Sequence, residues 1–230
     1  MSTPASLPGD KRSWPSRDPE GLEVRFTDRE SRPRPDEREP TLQGASVRLE
    51  PMRESHLEAL CRAGLNPPVN GLTPHPVTTP EEMAAWVRSA IAARAAGTAI
   101  PFVTVFRDGS SQTVVGSTRF MAIDPANRRM EIGSTWIGAR WQRTRVNTEA
   151  KYLMLRHAFE VLRSIRVEFK TDSLNERSRA ALLRIGAIQE GVFRNHVITA
   201  DGRIRHSVYY SIAVDEWPGV RRRLEELLSG

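Results

Sequence analysis

A short cationic stretch directly before an amphipathic helix is the part of this sequence best suited to chemistry. Gln142, Arg143 and Arg145 precede a segment in which apolar residues recur at helical spacing as far as Leu162. The start of a helix presents unpaired backbone N–H groups and the positive end of the helix dipole, so it binds phosphate without any special side chain. The stretch therefore indicates an anion site, and an ordinary arginine-rich surface connection is the alternative.

Metal and disulfide chemistry find no support in the sequence. Cys61 is the only cysteine, which excludes an internal disulfide and a Cys/His metal cluster. The five histidines show no ligand spacing of the HExxH type. We therefore expect no metal cofactor.

The elements that must hold the cationic stretch can be predicted from hydrophobic periodicity and turn residues. The predicted strands cover residues 46–51, 100–106, 113–123, 129–137, 166–171, 187–198 and 204–213. The predicted helices cover residues 54–63, 79–97, 148–162, 176–185 and 216–228. This order predicts an α+β fold, in which helices flank a central mixed, mostly antiparallel sheet of about seven strands.

The first 41 residues differ in composition from the rest of the chain. Prolines and charged residues dominate there, and apolar side chains are too sparse to offset the entropy of ordering a backbone, roughly 1–2 kcal/mol per residue. We therefore expect a disordered tail over residues 1–41 and one folded domain over residues 42–230. Residues 66–76 are rich in proline, glycine and asparagine and are expected to form a loop.

The charge of the chain bears on its partners and its compartment. The formal net charge is +6, so a basic surface would attract RNA, ribosomes, membranes or polyanionic cofactors, or would merely be solvated. No apolar run approaches the roughly 18 residues needed to cross a bilayer. The first residues lack the pattern of a signal peptide. A cytoplasmic protein without a membrane partner is expected.

Four segments of the sequence resemble GNAT acetyltransferases. They are EIGSTWI at 131–137, WQRTRVNTEAK at 141–151, RVEFKTDSLNERS at 166–178 and LRIGA at 183–187. The resemblance covers residues 42–213 and is closest to the RimJ/RimL branch of ribosomal-protein N-terminal acetyltransferases. It implies a GNAT-like sheet, acetyl-CoA as co-substrate, and transfer of its acetyl group to a primary amine, either a protein N-terminus or a small molecule.

The same resemblance implies roles for individual residues. The loop that receives the pyrophosphate of coenzyme A on its amides would consist of Gln142, Arg143, Thr144, Arg145, Val146 and Asn147. Trp136 and Ile137 would end a strand that splays from its neighbour and would hold the pantetheine and the acetyl group. Asn175 and Ser178 would approach the pantetheine and the thiol, and Asn175 can also cap the helix that follows it.

Two departures from the family pattern bear on activity. Arg145 and Asn147 stand where the usual loop has small residues, and glycine there lets a phosphate approach the backbone closely. Arg145 would either contact the pyrophosphate or block it and leave a weak or inactive site. Leu182 stands where many members have a tyrosine that protonates the departing thiolate. Ser178 or a water then takes the role of acid, or that role is unimportant.

Direct attack by an amine on a thioester requires a group that removes a proton from the amine. Glu131, on the strand beside the implied acetyl site, is the candidate base, and a structural ion pair with Arg129 or Arg140 is its alternative. Of the two tyrosines at 209 and 210, one would face the cleft, or both would belong to the core or the sheet surface. The catalytic candidates are thus Glu131 and Ser178.

The acceptor cleft is expected to be shaped by the loop at 66–76 and by the region around Arg194, Asn195, His196 and Arg203. Cationic walls would suit an acidic or neutral acceptor better than a polycation. The rival interpretation is a non-catalytic module of the same fold that senses acyl-CoA or binds RNA or a ribosome. Arg145 and the missing tyrosine favour it, whereas the lack of a basic strand interleaved with aromatic residues argues against nucleic acid as a partner. The oligomeric state stays open, a homodimer included.

Overall fold

A computed structural model describes residues 39–66 and 72–229. The strands are β1 Leu42–Gln43, β2 Val47–Pro51, β3 Ile100–Asp108, β4 Ser111–Asp124, β5 Arg129–Ile137, β6 Arg166–Asp172, β7 Ile188–Ile198 and β8 Ile204–Ala213. The helices are α1 Leu57–Gly64, α2 Pro80–Ala95, α3 Val146–Arg156, α4 Glu176–Arg184 and α5 Trp217–Ser229. The predicted tail, except its last three residues, and residues 67–71 of the predicted loop lie outside the described residues.

The α+β class and the elements predicted from the sequence are confirmed. Seven of the eight strands and all five described helices were predicted, and only β1 was not. The predicted third helix is α-helical as far as Arg156 and then continues as a π-helical segment, His157–Val161. β1 has two residues, which is too short for any periodicity, so only its pairing with β2 reveals it.

The eight strands form one sheet in the order β1-β2-β3-β4-β5-β6-β8-β7. Every neighbouring pair is antiparallel except β5 and β6, which are parallel. A parallel pair requires a crossover connection. Here the crossover consists of the predicted anion-binding loop followed by α3. The fold therefore places that loop at the end of β5, at the one parallel junction of the sheet.

Buried side chains form two clusters on opposite faces of the sheet. Phe102 belongs to the larger cluster, together with apolar residues of α3, α4 and α5. Its neighbour Val103 belongs to the smaller cluster, with Leu60 of α1 and Val87 of α2. Because successive strand residues point to opposite faces, α1 and α2 cover one face and α3 the other.

The helix ends follow the sequence signals that predicted them. The Thr79 hydroxyl accepts a hydrogen bond from the Glu82 amide at 3.2 Å, and the Glu82 carboxylate accepts one from the Thr79 amide, which completes a capping box at α2. Gly186 follows α4 with a φ of +97°, a conformation that favours glycine. Among the helices of the described ranges, none has both the length and the apolar content needed to cross a bilayer.

Candidate functional site

β5 and β6 pair only at their beginnings. Residues 129–131 of β5 lie opposite residues 166–168 of β6, and no later pair forms between the two described strands. β5 nevertheless continues to Ile137 and remains paired with β4 on its other side as far as Gly116. A gap therefore opens between β5 and β6 beyond Glu131. Backbone groups at such an edge can pair with an extended ligand that carries amides, as with an added strand.

A β-bulge bends β5 where the gap opens. Ser134 and Thr135 together lie opposite the single residue Thr118, and Ser134 has a φ of +46°. At the end of β5, a Cβ atom on Gly116 would overlap the carbonyl oxygen of Trp136. Glycine at 116 therefore lets the last residues of β5 follow β4 rather than β6.

The loop after β5 presents a group of free amides. A 3-10 turn, Ala139–Trp141, leads into it, and within the described ranges the N-cap residue of α3 makes no side-chain capping hydrogen bond. The Val146 amide donates to the Thr144 hydroxyl at 3.3 Å. Five other amides donate no hydrogen bond to any described residue, namely those of Arg143, Thr144, Arg145, Asn147 and Thr148. Together with the helix dipole, these amides favour an anion.

The side chains of the loop are mostly engaged elsewhere. Arg145 Nη1 donates to the Leu228 carbonyl at the end of α5 at 2.8 Å. Gln142 Nε2 donates to the Ile137 carbonyl at 3.0 Å. Arg143 is exposed and has a φ of +62°. The Asn147 side-chain oxygen is buried and accepts no hydrogen bond from any residue that the structure describes. Arg145, whose size raised the question of blockage, is thus held by α5.

Glu131 is a buried carboxylate at the last β5–β6 pair. The residue is 4% exposed, and the Lys170 ammonium lies 2.9 Å from its carboxylate. Burial raises the pKa of Glu131, and the charge and hydrogen bond of Lys170 oppose that rise. The alternative pairing with Arg129 or Arg140 is not the one formed, since Arg129 instead contacts Asp124 and Glu168.

The residues predicted to meet the pantetheine lie on both sides of the gap. On the β5 side, the Trp136 indole is buried against Trp86 at 6.3 Å between ring centroids, and Ile137 is buried in the larger cluster. Both side chains are therefore part of the core, and the backbone is what these residues present to a ligand. The remaining candidates, Asn175 and Ser178, lie at the start of α4, which follows β6.

Asn175 caps α4, as predicted. Its side-chain oxygen accepts a hydrogen bond from the Ser178 amide at 3.1 Å. Ser178 is half-buried. Leu182, one turn further along, is buried in the larger cluster. The position where the family resemblance implies a tyrosine is thus a core position in this protein.

A polar surface covers β6, β8 and β7 on the face that carries Glu131. The Asp172 carboxylate is buried and lies 2.6 Å from Arg203 Nη2. Tyr209 faces Lys170 in the strand register and stacks on Phe193 at 4.3 Å, whereas Tyr210 is fully buried in the core. A depression on the β7–β8 hairpin is lined by Phe193, Arg194, Asn195, His196 and His206. Three of the four residues expected to shape the acceptor cleft therefore line one depression.

Lys151 is a residue of the candidate site that the sequence analysis did not single out. It lies on α3, is 6% exposed, and donates from Nζ to the Thr135 hydroxyl at 2.8 Å. Burial lowers its pKa to about 7, against the field of Glu131. The signal in the sequence was its spacing, because Lys151 is three residues before Met154 and four before Leu155 and so lies on the apolar side of the helix.

Comparison with known proteins agrees with this geometry. Residues 46–188, more than half of the chain, match a family model described as an acetyltransferase (GNAT) domain. A candidate ribosomal N-acetyltransferase of Bacillus subtilis, YdaF, is 35% identical over 112 residues, which make up 49% of this chain and 58% of YdaF. The match thus spans a little over half the length of that relative.

Two solved structures share the fold. A candidate acetyltransferase from T. thermophilus is 37% identical with a TM-score of 0.73, and the match covers 82% of this chain and 96% of that one. RimJ of Mycobacterium smegmatis, solved in complex with CoA-disulfide, is 23% identical with a TM-score of 0.65, over 82% of this chain and 92% of its own. From the family model and the T. thermophilus relative, this chain belongs to the GNAT acetyltransferase family.

Proposed function

We propose that this protein transfers an acetyl group from acetyl-CoA to a primary amine by direct attack of the amine on the thioester. The observation that carries the proposal is the gap between β5 and β6 beyond Glu131. The pantetheine arm of coenzyme A contains amide groups, and an extended chain with amides can pair with the free edge of β5. The gap therefore has the chemistry to hold the arm and to present the thioester at the point where the strands part.

The loop at the start of α3 fits the other end of the same molecule. Five of its amides lack an acceptor within the described chain, and a pyrophosphate offers several anionic oxygens to such donors. The loop directly follows β5, so one ligand can extend from the gap to the loop. Family membership and the CoA-disulfide bound to the M. smegmatis relative support this assignment.

Glu131 is the proposed general base. A base works best when its pKa lies near the working pH, and burial moves the pKa of Glu131 in that direction. Lys170 limits the rise and holds the carboxylate in place. A backbone N–H near Ile137 would stabilise the oxyanion, and alignment of the two substrates would supply much of the remaining acceleration.

The acceptor is proposed to be a protein N-terminal amine or a small-molecule amine that approaches from the polar face. The name of the B. subtilis relative, a candidate ribosomal N-acetyltransferase, supports the first class. In the ion pairs next to the gap, Lys170 approaches Glu131, and both Arg203 and Arg205 approach Asp172, which leaves one more cation than carboxylates there. This balance favours an acidic or neutral acceptor over a polycation.

The first test is calorimetric titration of acetyl-CoA and free coenzyme A into the full chain, beside an Arg145→Gly variant. We expect micromolar binding that the variant alters only slightly, because α5 already holds the Arg145 side chain. A folded protein that binds neither ligand would overturn the proposal.

Thiol release is then measured with a panel of acceptors. The panel consists of peptides with acidic, neutral or basic first residues, free amino acids and an aminoglycoside. We expect release with at least one neutral or acidic amine. Binding without release for every acceptor would instead support the non-catalytic acyl-CoA sensor.

A further inference from the structure

The amine of Lys151 lies at the point where β5 and β6 part. Its Nζ is 2.8 Å from the Thr135 hydroxyl on β5 and 5.7 Å from the centre of the Phe169 ring on β6. The last residues that pair across the two strands are Glu131 and Glu168. Thr135 and Phe169 both come after that pair. The amine therefore bridges the opening of the gap from the side of α3.

The buried amine has a hydroxyl as its hydrogen-bond acceptor and no counter-ion among the described residues. The Thr135 hydroxyl, which accepts its hydrogen bond, lies 2.8 Å from the Thr118 hydroxyl, and Thr118 in turn contacts the Met154 sulfur at 3.4 Å. Lys151 forms no ion pair with any described carboxylate, and Glu131 is the charged group whose field reaches it. A buried cation without a counter-ion is costly. Lys151 is therefore a group that gives up its proton readily.

We propose that Lys151 donates the proton that converts the departing thiolate of coenzyme A into a thiol. The inference rests on the proposed function, since the thioester must lie in the gap for the amine to reach its sulfur. The two residues of α4 considered for this role are poor donors. Leu182 carries no acidic proton, and a serine hydroxyl such as that of Ser178 is a much weaker acid than a thiol.

The proposed step balances in protons and electrons without any further reactant. The lone pair of the acceptor nitrogen forms the new C–N bond to the acetyl carbon, and the C–S bond breaks with its electron pair moving to sulfur. Lys151 gives one proton to that sulfur, and Glu131 takes one proton from the acceptor nitrogen. Exchange with water then returns a proton to Lys151 and removes one from Glu131, which restores both residues.

The kinetic test compares Lys151→Met and Lys151→Arg with the unchanged protein, using an acceptor that supports turnover. We expect kcat to fall about 100-fold in both variants, a loss typical for a general acid. The arginine variant keeps the charge but holds its proton too firmly to donate it. The Kd of acetyl-CoA, measured by calorimetry, should change less than kcat in both. Full activity of the methionine variant, or full rescue by arginine, would overturn the proposal.

A change of leaving group separates proton donation from a structural role. An acetyl thioester of a more acidic thiol, made on the same pantetheine arm, needs no proton on its sulfur. The methionine variant should therefore turn over this substrate at nearly the rate of the unchanged protein. An equal loss for both substrates would show that Lys151 only shapes the gap, and the proposal would fail.

A spectroscopic test is independent of turnover. The chain has three lysines, Lys11, Lys151 and Lys170, so a protein labelled with ¹³C-lysine gives few signals, and the variant assigns that of Lys151. We expect this signal to titrate near neutral pH and to shift when free coenzyme A is added. Titration near the ordinary lysine value with no shift would overturn the proposal.

The outcomes also separate this inference from the proposed function. If the unchanged protein binds no acetyl-CoA and releases no thiol, the proposed function fails and the inference fails with it. If the unchanged protein is active and the methionine variant is equally active, only the inference fails. Acetylation of Lys151 itself, detected by mass spectrometry of the reacted protein, would show that its amine attacks the thioester, which contradicts the role of proton donor.

Discussion

Two ionisable residues of opposite kind lie near the parting of β5 and β6. Burial raises the pKa of Glu131, and burial lowers that of Lys151 to about 7. The same physical cause thus raises the pKa of a carboxylic acid and lowers the pKa of an amine, so that both move toward neutral pH. Pairs of groups whose environments shift them in this way are typical of sites that need a base and an acid at one pH.

The Glu131→Gln variant tests the base. A base must be deprotonated, so activity of the unchanged protein should fall as the pH falls through the raised pKa of Glu131. We expect the variant to lower kcat about 100-fold and to lose this acidic limb of the pH profile. Steady-state rates of thiol release between pH 5 and 8 measure both effects.

Glu168→Gln is the matched control for that variant. Glu168 lies opposite Glu131 in the parallel pair and contacts Arg129 and Arg166 rather than Lys170. We expect it to keep the acidic limb and to move that limb to lower pH, because the charge of Glu168 helps to raise the pKa of Glu131. If both variants lose the same activity and keep the same profile, Glu131 has a structural role.

The lowered pKa of Lys151 also predicts how stability depends on pH. An ordinary lysine in the unfolded chain titrates near 10.4, whereas Lys151 in the folded protein titrates near 7. Between these values the unfolded state binds more protons, so this residue makes the free energy of unfolding rise with pH. Relative to Lys151→Met, we expect a rise of up to about 4 kcal/mol from pH 7 to pH 10.

Urea unfolding of both proteins at several pH values measures that difference. Other ionisable groups cancel because they are common to the two chains. If the difference in the free energy of unfolding between the two proteins stays constant with pH, Lys151 keeps an ordinary pKa in the folded protein. The proton-donor role would then lose its physical basis.

At the scale of elements, the end of β5 depends on a close approach to β4. A Cβ atom on Gly116 would overlap the Trp136 carbonyl oxygen. We therefore expect Gly116→Ala to shift residues 136–137, to destabilise the fold by about 1–3 kcal/mol, and to weaken acetyl-CoA binding. Thermal or urea unfolding and calorimetry measure the two effects.

Gly191→Ala is the control within the same sheet. Gly191 is on β7, and no atom of the described residues lies within 4 Å of a Cβ atom added there. We expect the free energy of unfolding of this variant to stay within about 0.5 kcal/mol of that of the unchanged protein. Its affinity for acetyl-CoA should not change. If Gly116→Ala behaves in the same way, the approach of β4 to β5 does not shape the gap.

Local sequence signals made most helices and strands predictable, whereas features that depend on pairing between distant residues could not be predicted. The capping box at Thr79 and the cap at Asn175 mark helix starts, and both form as expected. The strand order, with β8 between β6 and β7, depends on contacts between distant residues, so the pattern of the chain did not reveal it. The bulge at Ser134 has the same origin, because an extra residue in β5 is visible only against its partner Thr118.

The geometry of the candidate site was predictable where it depends on the backbone, and less predictable where it depends on the orientation of side chains. The loop of residues 142–147 lies at the start of a helix, so its free amides follow from local structure. The orientation of Arg145 toward Leu228 depends on α5, more than 80 residues away in sequence. Lys151 was hidden for a related reason, since Thr135 and Phe169 enclose it only after β5, β6 and α3 have assembled.

At the scale of the whole molecule, the charge allows two kinds of anionic partner. The net charge of +6 would attract nucleic acid as readily as a cofactor phosphate. The two differ in where the anion is held. Exposed arginines bind a polyanion by releasing counterions, which makes the affinity steeply dependent on salt. The loop amides of α3 are directional hydrogen-bond donors, and salt weakens a hydrogen bond in a formed pocket less than it weakens an exposed ion pair.

Salt dependence therefore distinguishes a cofactor site from a nucleic-acid surface. Between 50 and 200 mM salt, we expect the affinity for acetyl-CoA to fall by less than about tenfold. RNA held by six to ten phosphate contacts would lose about 10³–10⁵ in affinity over the same range. Calorimetry with acetyl-CoA and fluorescence anisotropy with a single-stranded RNA, on one preparation of the full chain, measure both. The opposite result would be RNA binding that stays tight at 200 mM salt while acetyl-CoA binding disappears. That result would assign the basic surface to nucleic acid, because RNA affinity that resists salt requires contacts with the bases or a formed pocket in addition to counterion release.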